Sequence, residues 1–217
     1  MIDLIIPTMW KYKKFPHFLK QYLNYDTVGK IIVINNNAKE TPITAIIGDK
    51  ITYHNSETNL FVNESWNIGV SLTSSNLICI LNDDVRLDYE VTKFILKQNF
   101  SEIDIIGANI MSEKTFPFLE KIKIDKTKAL GRQFKNFGCC MFMLREKYKV
   151  IPSRYKCWYG DDYLVHHCKN IYRVPIFFEE YFQHNVSNTI KRVPEISEII
   201  ESDNMNAMEY ILSGKYE

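Results

Sequence analysis

Five apolar residues in succession, Leu77-Ile78-Cys79-Ile80-Leu81, run straight into Asn82-Asp83-Asp84. A continuous run of strand length predicts a strand covered on both faces, as in a parallel sheet sandwiched between helices. In such open α/β sheets, ligands gather beyond the carboxyl ends of the strands. Two adjacent carboxylates at that edge are hard oxygen ligands suited to Mg²⁺ or Mn²⁺ bound against a diphosphate. They also suit an ordinary turn, because Asn and Asp favour turns.

The pattern around this run repeats the theme. Leu4–Ile6, Lys30–Ile34, Ile51–His54, Asp104–Ile110, Phe137–Leu144 and Val174–Phe182 are predicted strands. Helical spacing of apolar residues marks Phe15–Tyr25, Asn63–Ser71, Tyr89–Phe100 and Asp161–Cys168, with a last helix over Asn204–Leu212. This alternation predicts a parallel, Rossmann-like sheet in a single domain. The stretch 114–135 has seven basic and two acidic residues and no clean period, which predicts a loop or flap.

Composition narrows the function classes. With 217 residues, 46% hydrophobic, the chain can build a sizeable core. A formal net charge of +1 gives no overall field for nucleic acid or anionic membrane. The opening segment lacks secretory-signal features, and no apolar run nears the roughly 18 to 20 residues of a membrane span. Five cysteines, an odd number with no CxxC pair, suggest reduced thiols and a cytoplasmic setting.

Two further sites carry chemistry. Gly160-Asp161-Asp162 places two carboxylates at a predicted helix start, where they suit either a cap or a general base. His184 follows the last predicted strand and suits either a structural role or metal ligation. Trp158 and Tyr159 just before the acidic pair offer an acceptor platform or core packing.

The ordered series Leu4-Ile5-Ile6-Pro7-Thr8, Ile31-Ile32-Val33-Ile34-Asn35-Asn36, Asn63-Glu64-Ser65-Trp66-Asn67-Ile68-Gly69, Leu81-Asn82-Asp83-Asp84, Gly160-Asp161-Asp162 and His184 resembles a GT-A glycosyltransferase. The likeness is to family 2, of a compact viral or bacterial type, and spans roughly residues 2 to 190. It implies a mostly parallel sheet with helices on both faces. A catalytic domain would cover residues 1–190, with a nucleotide-sugar half to about 110 and an acceptor half beyond it. A helical tail at 191–217 would pack outside.

By the same resemblance, Asp84 and His184 are metal ligands for Mn²⁺ or Mg²⁺. Pro7, Thr8, Asn35, Asn36, Asn63, Asn67, Asn82 and Asp83 bind the donor, a nucleotide-diphosphate sugar with UDP as the default. Asn82 stands where the D-x-D pattern has an acid. Asp162 is the base of an inverting displacement and Asp161 its neighbour on the acceptor side. The acceptor is a glycan, a lipid-linked sugar, a protein or a modified DNA base. A nucleotidyltransferase is the competing enzyme class, but Pro7-Thr8-Met9-Trp10-Lys11 lacks the glycines of a phosphate loop. A non-catalytic nucleotide- or sugar-binding module is the other alternative.

Overall fold

The computed structural model describes residues 1–37, 46–177 and 196–213. Eight strands form one sheet: β1 Ile2–Thr8, β2 Val28–Asn35, β3 Ile51–Asn55, β4 Leu77–Leu81, β5 Ile105–Met111, β6 Glu120–Ile122, β7 Cys140–Leu144 and β8 Ile171–Phe177. Their order is β3-β2-β1-β4-β7-β5-β8-β6. Among the described strands, only β7 and β6 run against the rest, since β7 pairs antiparallel with β4 and β5, and β6 pairs antiparallel with β8.

The alternation of side chains divides the core in two. Leu4, Ile6, Cys79 and Leu81 point to one face, with Phe15, Phe18, Leu19 and Tyr22 of α1 (Phe15–Leu23) and Val91 and Ile95 of α3 (Tyr89–Leu96). Ile5, Ile78 and Ile80 point to the other, with Trp66 and Val70 of α2 (Phe61–Ser71) and Leu164 and Val165 of α5 (Gly160–His166). Ala207 of α6 (Ile196–Ser213) joins this second layer. The closeness of α2 to the sheet depends on Gly69, where a Cβ would lie 2.2 Å from Ile5 Cγ2.

The predicted elements differ from the observed ones at particular places. The strand expected over Phe137–Leu144 begins only at Cys140, after a 3-10 turn at Phe137–Cys139 that follows left-handed Asn136 (φ 62°). The expected loop 114–135 contains β6 and a short helix, α4 (Leu130–Gln133). Three and four residues are too few to show a period, and β6 is held by its edge pairing and by Arg173–Glu120 at 2.6 Å. The helix over Tyr89–Phe100 stops at Leu96. The last strand begins earlier than expected, at Ile171, and its expected end beyond Phe177 lies outside the described residues.

Topology sets the site. Strands β1, β2 and β4 are parallel neighbours, so Thr8, Asn35 and Leu81 end at one sheet edge. Antiparallel β7 enters at that edge, because Cys140 pairs with Leu81. The residues after β1, β2 and β4 and before β7 therefore meet there.

Candidate active site

The first acidic pair is placed by β4. Asn82 N–H donates to Cys139 O at 2.9 Å, continuing the β4–β7 ladder by one rung. A tight turn follows, with Val85 N–H donating to Asn82 O at 3.2 Å, and it carries Asp83 and Asp84. The Thr8 hydroxyl donates to Asp83 Oδ2 at 2.6 Å and accepts from Trp10 N–H at 2.9 Å. Asp84 receives no side-chain hydrogen bond or ion pair among the described residues.

The second pair is placed by loops. Tyr159 adopts a left-handed conformation (φ 62°) and starts α5, which brings Asp161 and Asp162 into its first turn. The two carboxylates are thus not the N-cap, although negative charge in a first turn still favours the helix dipole. Leu130 N–H donates to Asp162 Oδ1, and the Asp161 carboxylate accepts the N–H groups of Asp162 and Gly138. Gly160 is required here, because a Cβ would lie 2.1 Å from Asn63 Oδ1.

Both pairs face one cleft of about 580 Å³. Its walls include Pro7, Thr8, Asn36, Asn82, Asp83 and Asp84 together with Trp158, Tyr159, Asp161 and Asp162. Burial, then the neighbouring Asp84 charge, pushes Asp83 up to about 7 against the opposing Thr8 hydrogen bond. Burial, then Asp161, does the same to Asp162, up to about 7, against the Leu130 N–H. Burial also raises Asp84 and Asp161. Cys139 is within reach of both pairs: burial pushes its thiol up, and the charges of Asp84 and then Asp161 add to that. The thiol is therefore neutral, a wall rather than a nucleophile.

Several residues singled out in the sequence are engaged elsewhere. Buried Asn35 donates to Asn55 Oδ1 at 2.9 Å and accepts Asn37 N–H, away from the cleft wall. Asn63, 1% exposed, donates to the carbonyls of Tyr155 and Trp158 and so shapes the loop before α5. Asn67 ties α2 to Ile151 and Tyr148. Asn36 lines the cleft, but its amide already bonds Phe61 O and Ser65 Oγ. His184 lies outside the described residues.

Phe61 and Asn136 belong to no motif read from the sequence. They are left-handed non-glycine residues at the cleft wall, with φ 60° and 62°. Trp66 lines the cleft as well as the core, and its indole N–H has no partner among the described residues. Asp203 of α6 is fully buried and accepts the N–H groups of Lys156, Cys157 and Trp158 at 2.8–2.9 Å, pinning the cleft wall formed by Cys157 and Trp158. Its sequence signal was an acid inside a helix, which usually means a solvated face.

No family model matches the chain, and no curated protein does. Solved structures do match. Residues 1–349 of S. aureus TarS superpose with a TM-score of 0.60 at 11% identity, over 96% of this chain and 72% of that one. The fold is GT-A. The same TarS fragment in complex with UDP-GlcNAc gives a TM-score of 0.60 at 11% identity, covering 97% of this chain and 65% of that one. A longer TarS structure gives 0.58 at 14% identity, and this GT-A chain spans 42% of its length. At these identities the likeness establishes the architecture alone. Among the described residues, no helix is long and apolar enough to cross a membrane.

Proposed function

We propose that the chain is a glycosyltransferase that moves a sugar from a nucleotide-diphosphate sugar, a UDP-sugar, to an acceptor hydroxyl. The observation that carries this reading is the convergence of Asp83–Asp84 and Asp161–Asp162 on one cleft, with Asp84 and Asp161 both close enough to act on Cys139. A displacement needs one site at each end of the reacting bond. The UDP-GlcNAc complex of the like-folded TarS fragment supports a uridine donor.

The donor end is the carboxyl edge of β1, β2 and β4, where Pro7, Thr8, Asn36 and Asn82 stand beside Asp83 and Asp84. A divalent cation, Mn²⁺ or Mg²⁺, fits that pair. The two carboxylates are crowded and desolvated, and Asp84 lacks a side-chain partner among the described residues. Among those residues no three His, Cys, Asp or Glu side chains form a metal cage. Mg²⁺-type sites commonly use one or two carboxylates, with substrate phosphates and water completing the shell. Bound there, the cation would supply Lewis-acid neutralisation of the leaving diphosphate. His184 remains a proposed further ligand.

At the other end, Asp162 is the base. Its Oδ1 is held by Leu130 N–H, which leaves Oδ2 to take the acceptor proton. Its raised proton affinity, up to about 7, suits general-base work near neutral pH. The acceptor oxygen bonds the anomeric carbon as the bond to the diphosphate breaks on the opposite side, with inversion. Asp161, held by two backbone N–H groups, orients its neighbour.

The test is a thermal-shift screen of nucleoside diphosphates and their sugars with and without Mn²⁺, paired with UDP release from UDP-GlcNAc. A stabilisation that needs nucleotide and cation together, and that Asp84→Asn removes, supports the reading. No stabilisation by any nucleotide or nucleotide sugar, with or without Mn²⁺, would overturn it.

A further inference from the structure

The basic stretch 114–135 resolves into engaged and unengaged cations. Lys126 Nζ donates to His166 O and Cys168 O at 2.6 and 3.3 Å. Lys121 donates to Asn170 Oδ1 at 3.1 Å, and Lys128 pairs with Asp125 at 2.9 Å. Arg132 behaves differently. It is exposed, and its guanidinium has no hydrogen bond or ion pair among the described residues. It lines the cleft, and it is the only Lys or Arg to do so among the described residues.

Its position in the cleft can be read from its neighbours. Arg132 follows Leu130, whose N–H holds Asp162, by two residues on α4. The Tyr159 phenol senses both Asp162 and Arg132, whose charges act on it in opposite directions. Trp158, 45% exposed, lines the same cleft. Arg132 therefore groups with Asp162 and Tyr159, at the proposed acceptor end.

We infer that Arg132 binds a phosphoryl group on the acceptor, so that the acceptor is a phosphate-bearing sugar or polyol. This rests on the glycosyltransferase reading. The acceptor end already holds two carboxylates, which would repel an anion approaching the base. An unengaged guanidinium offsets that repulsion and offers a planar fork of donors matched to phosphate oxygens. A neutral acceptor hydroxyl would need no such group. Being exposed, Arg132 reaches the ligand with little desolvation cost, and the exposed Trp158 ring in the same cleft offers the sugar or polyol a flat apolar surface.

Phosphate also occurs in the donor, so the experiment must separate the two sources. With the protein saturated by UDP and Mn²⁺, calorimetry would compare sn-glycerol 3-phosphate with glycerol as probes. The wild type should prefer the phosphorylated probe. Arg132→Gln should weaken it by about 10- to 100-fold, the range for losing a charge-assisted hydrogen bond. Arg132→Lys should keep part of the preference, and UDP affinity and Tm should hold in both variants. Two results would overturn the assignment: a wild type with no preference for phosphate, or an Arg132→Gln variant that loses UDP affinity while keeping the probe preference. The latter would move Arg132 to the donor diphosphate. Failure of the wild type to bind UDP with Mn²⁺ would instead strike at the transferase reading itself.

Discussion

Asp83 and Asp84 follow directly from a strand locked between two neighbours, whereas Asp161 and Asp162 open a helix whose place depends on loops. The first pair inherits its position from β4, paired on one side with β1 and on the other with β7. The second relies on left-handed Tyr159, on Asn63 gripping the carbonyls of Tyr155 and Trp158, and on Asp203 gripping three N–H groups from the other side. Their hydrogen bonding differs in the same sense. Asp84 has no side-chain partner among the described residues, while Asp161 and Asp162 take backbone N–H groups. A crowded, desolvated pair on a rigid edge, with Thr8 holding only Asp83, suits a cation. An oriented pair with one free oxygen suits proton transfer.

The sharpest way to break this contrast is Asp162→Asn. Transfer should slow by about 10² to 10⁴ while UDP affinity in the presence of Mn²⁺ stays at the wild-type value. In the wild type, the rate should fall as pH drops below about 7, because the base is then protonated. Single-turnover kinetics across pH would check both points. Wild-type turnover in the variant would move the base elsewhere, with Asp161 the next residue to test.

Asp84→Asn should give the converse result. It should weaken UDP binding by about 10- to 100-fold with Mn²⁺ present, the cost of removing a charge-assisted contact. Binding without the cation should change little. Calorimetry in the two conditions would read the difference, and equal losses in both would leave Asp84 without a cation-specific role.

The same contrast governs what could be read from the sequence. Strand β4 was legible to the residue, because a doubly covered strand writes its burial as five unbroken apolar positions and its end as Asn82-Asp83-Asp84. The start of α5 was legible from Gly160 and two acids. The antiparallel insertion of β7 was not, since Cys140–Leu144 carries the same apolar signature whichever way it runs. Arg132, Cys139 and Asp203 escaped for a related reason. Each matters through partners more than 20 residues away, and local periodicity does not encode such pairings. Asn35, Asn63 and Asn67 stood at the expected chain positions, yet all three hold the scaffold, because an amide that can bind a ligand can equally bind a backbone.

The dependence of the second pair on its supports can be tested away from the cleft. Asp203→Ala leaves the N–H groups of Lys156, Cys157 and Trp158 without their acceptor. Stability should fall by about 3 kcal/mol, given roughly 1 to 3 kcal/mol for a buried unpaired group and partial relief by water. Cys157 and Trp158 line the cleft at the proposed acceptor end, so acceptor KM should rise while UDP affinity holds. Urea unfolding with steady-state kinetics would measure both. A parallel loss of UDP affinity would show that the two ends are not separately supported.

The smallest expected effect is a slope in stability against pH. Burial, then a like-charged neighbour, raises Asp83 and Asp162 to about 7, while an unfolded aspartate titrates near ~3.9. Between these values the folded chain binds more protons than the unfolded chain, so stability declines as pH rises through the window. Below it both states are protonated and the contribution is present in full. Asp3 and Asp104 act in the opposite sense. Burial raises both, but backbone N–H donors, the Ser75 hydroxyl for Asp3 and Lys147 for Asp104 hold them below the ordinary value. Their contribution is lost only at more acid pH. In EDTA, Tm should therefore fall from about pH 5 to about pH 8, and Asp162→Asn should make that fall shallower. UDP with Mn²⁺ should flatten the portion owed to Asp83–Asp84 and leave the portion owed to Asp162. Calorimetric scans of the wild type and the variant would separate the two. A flat Tm in EDTA would mean the pairs are not crowded and desolvated, and would remove the electrostatic ground for treating them as two poised ends of one site.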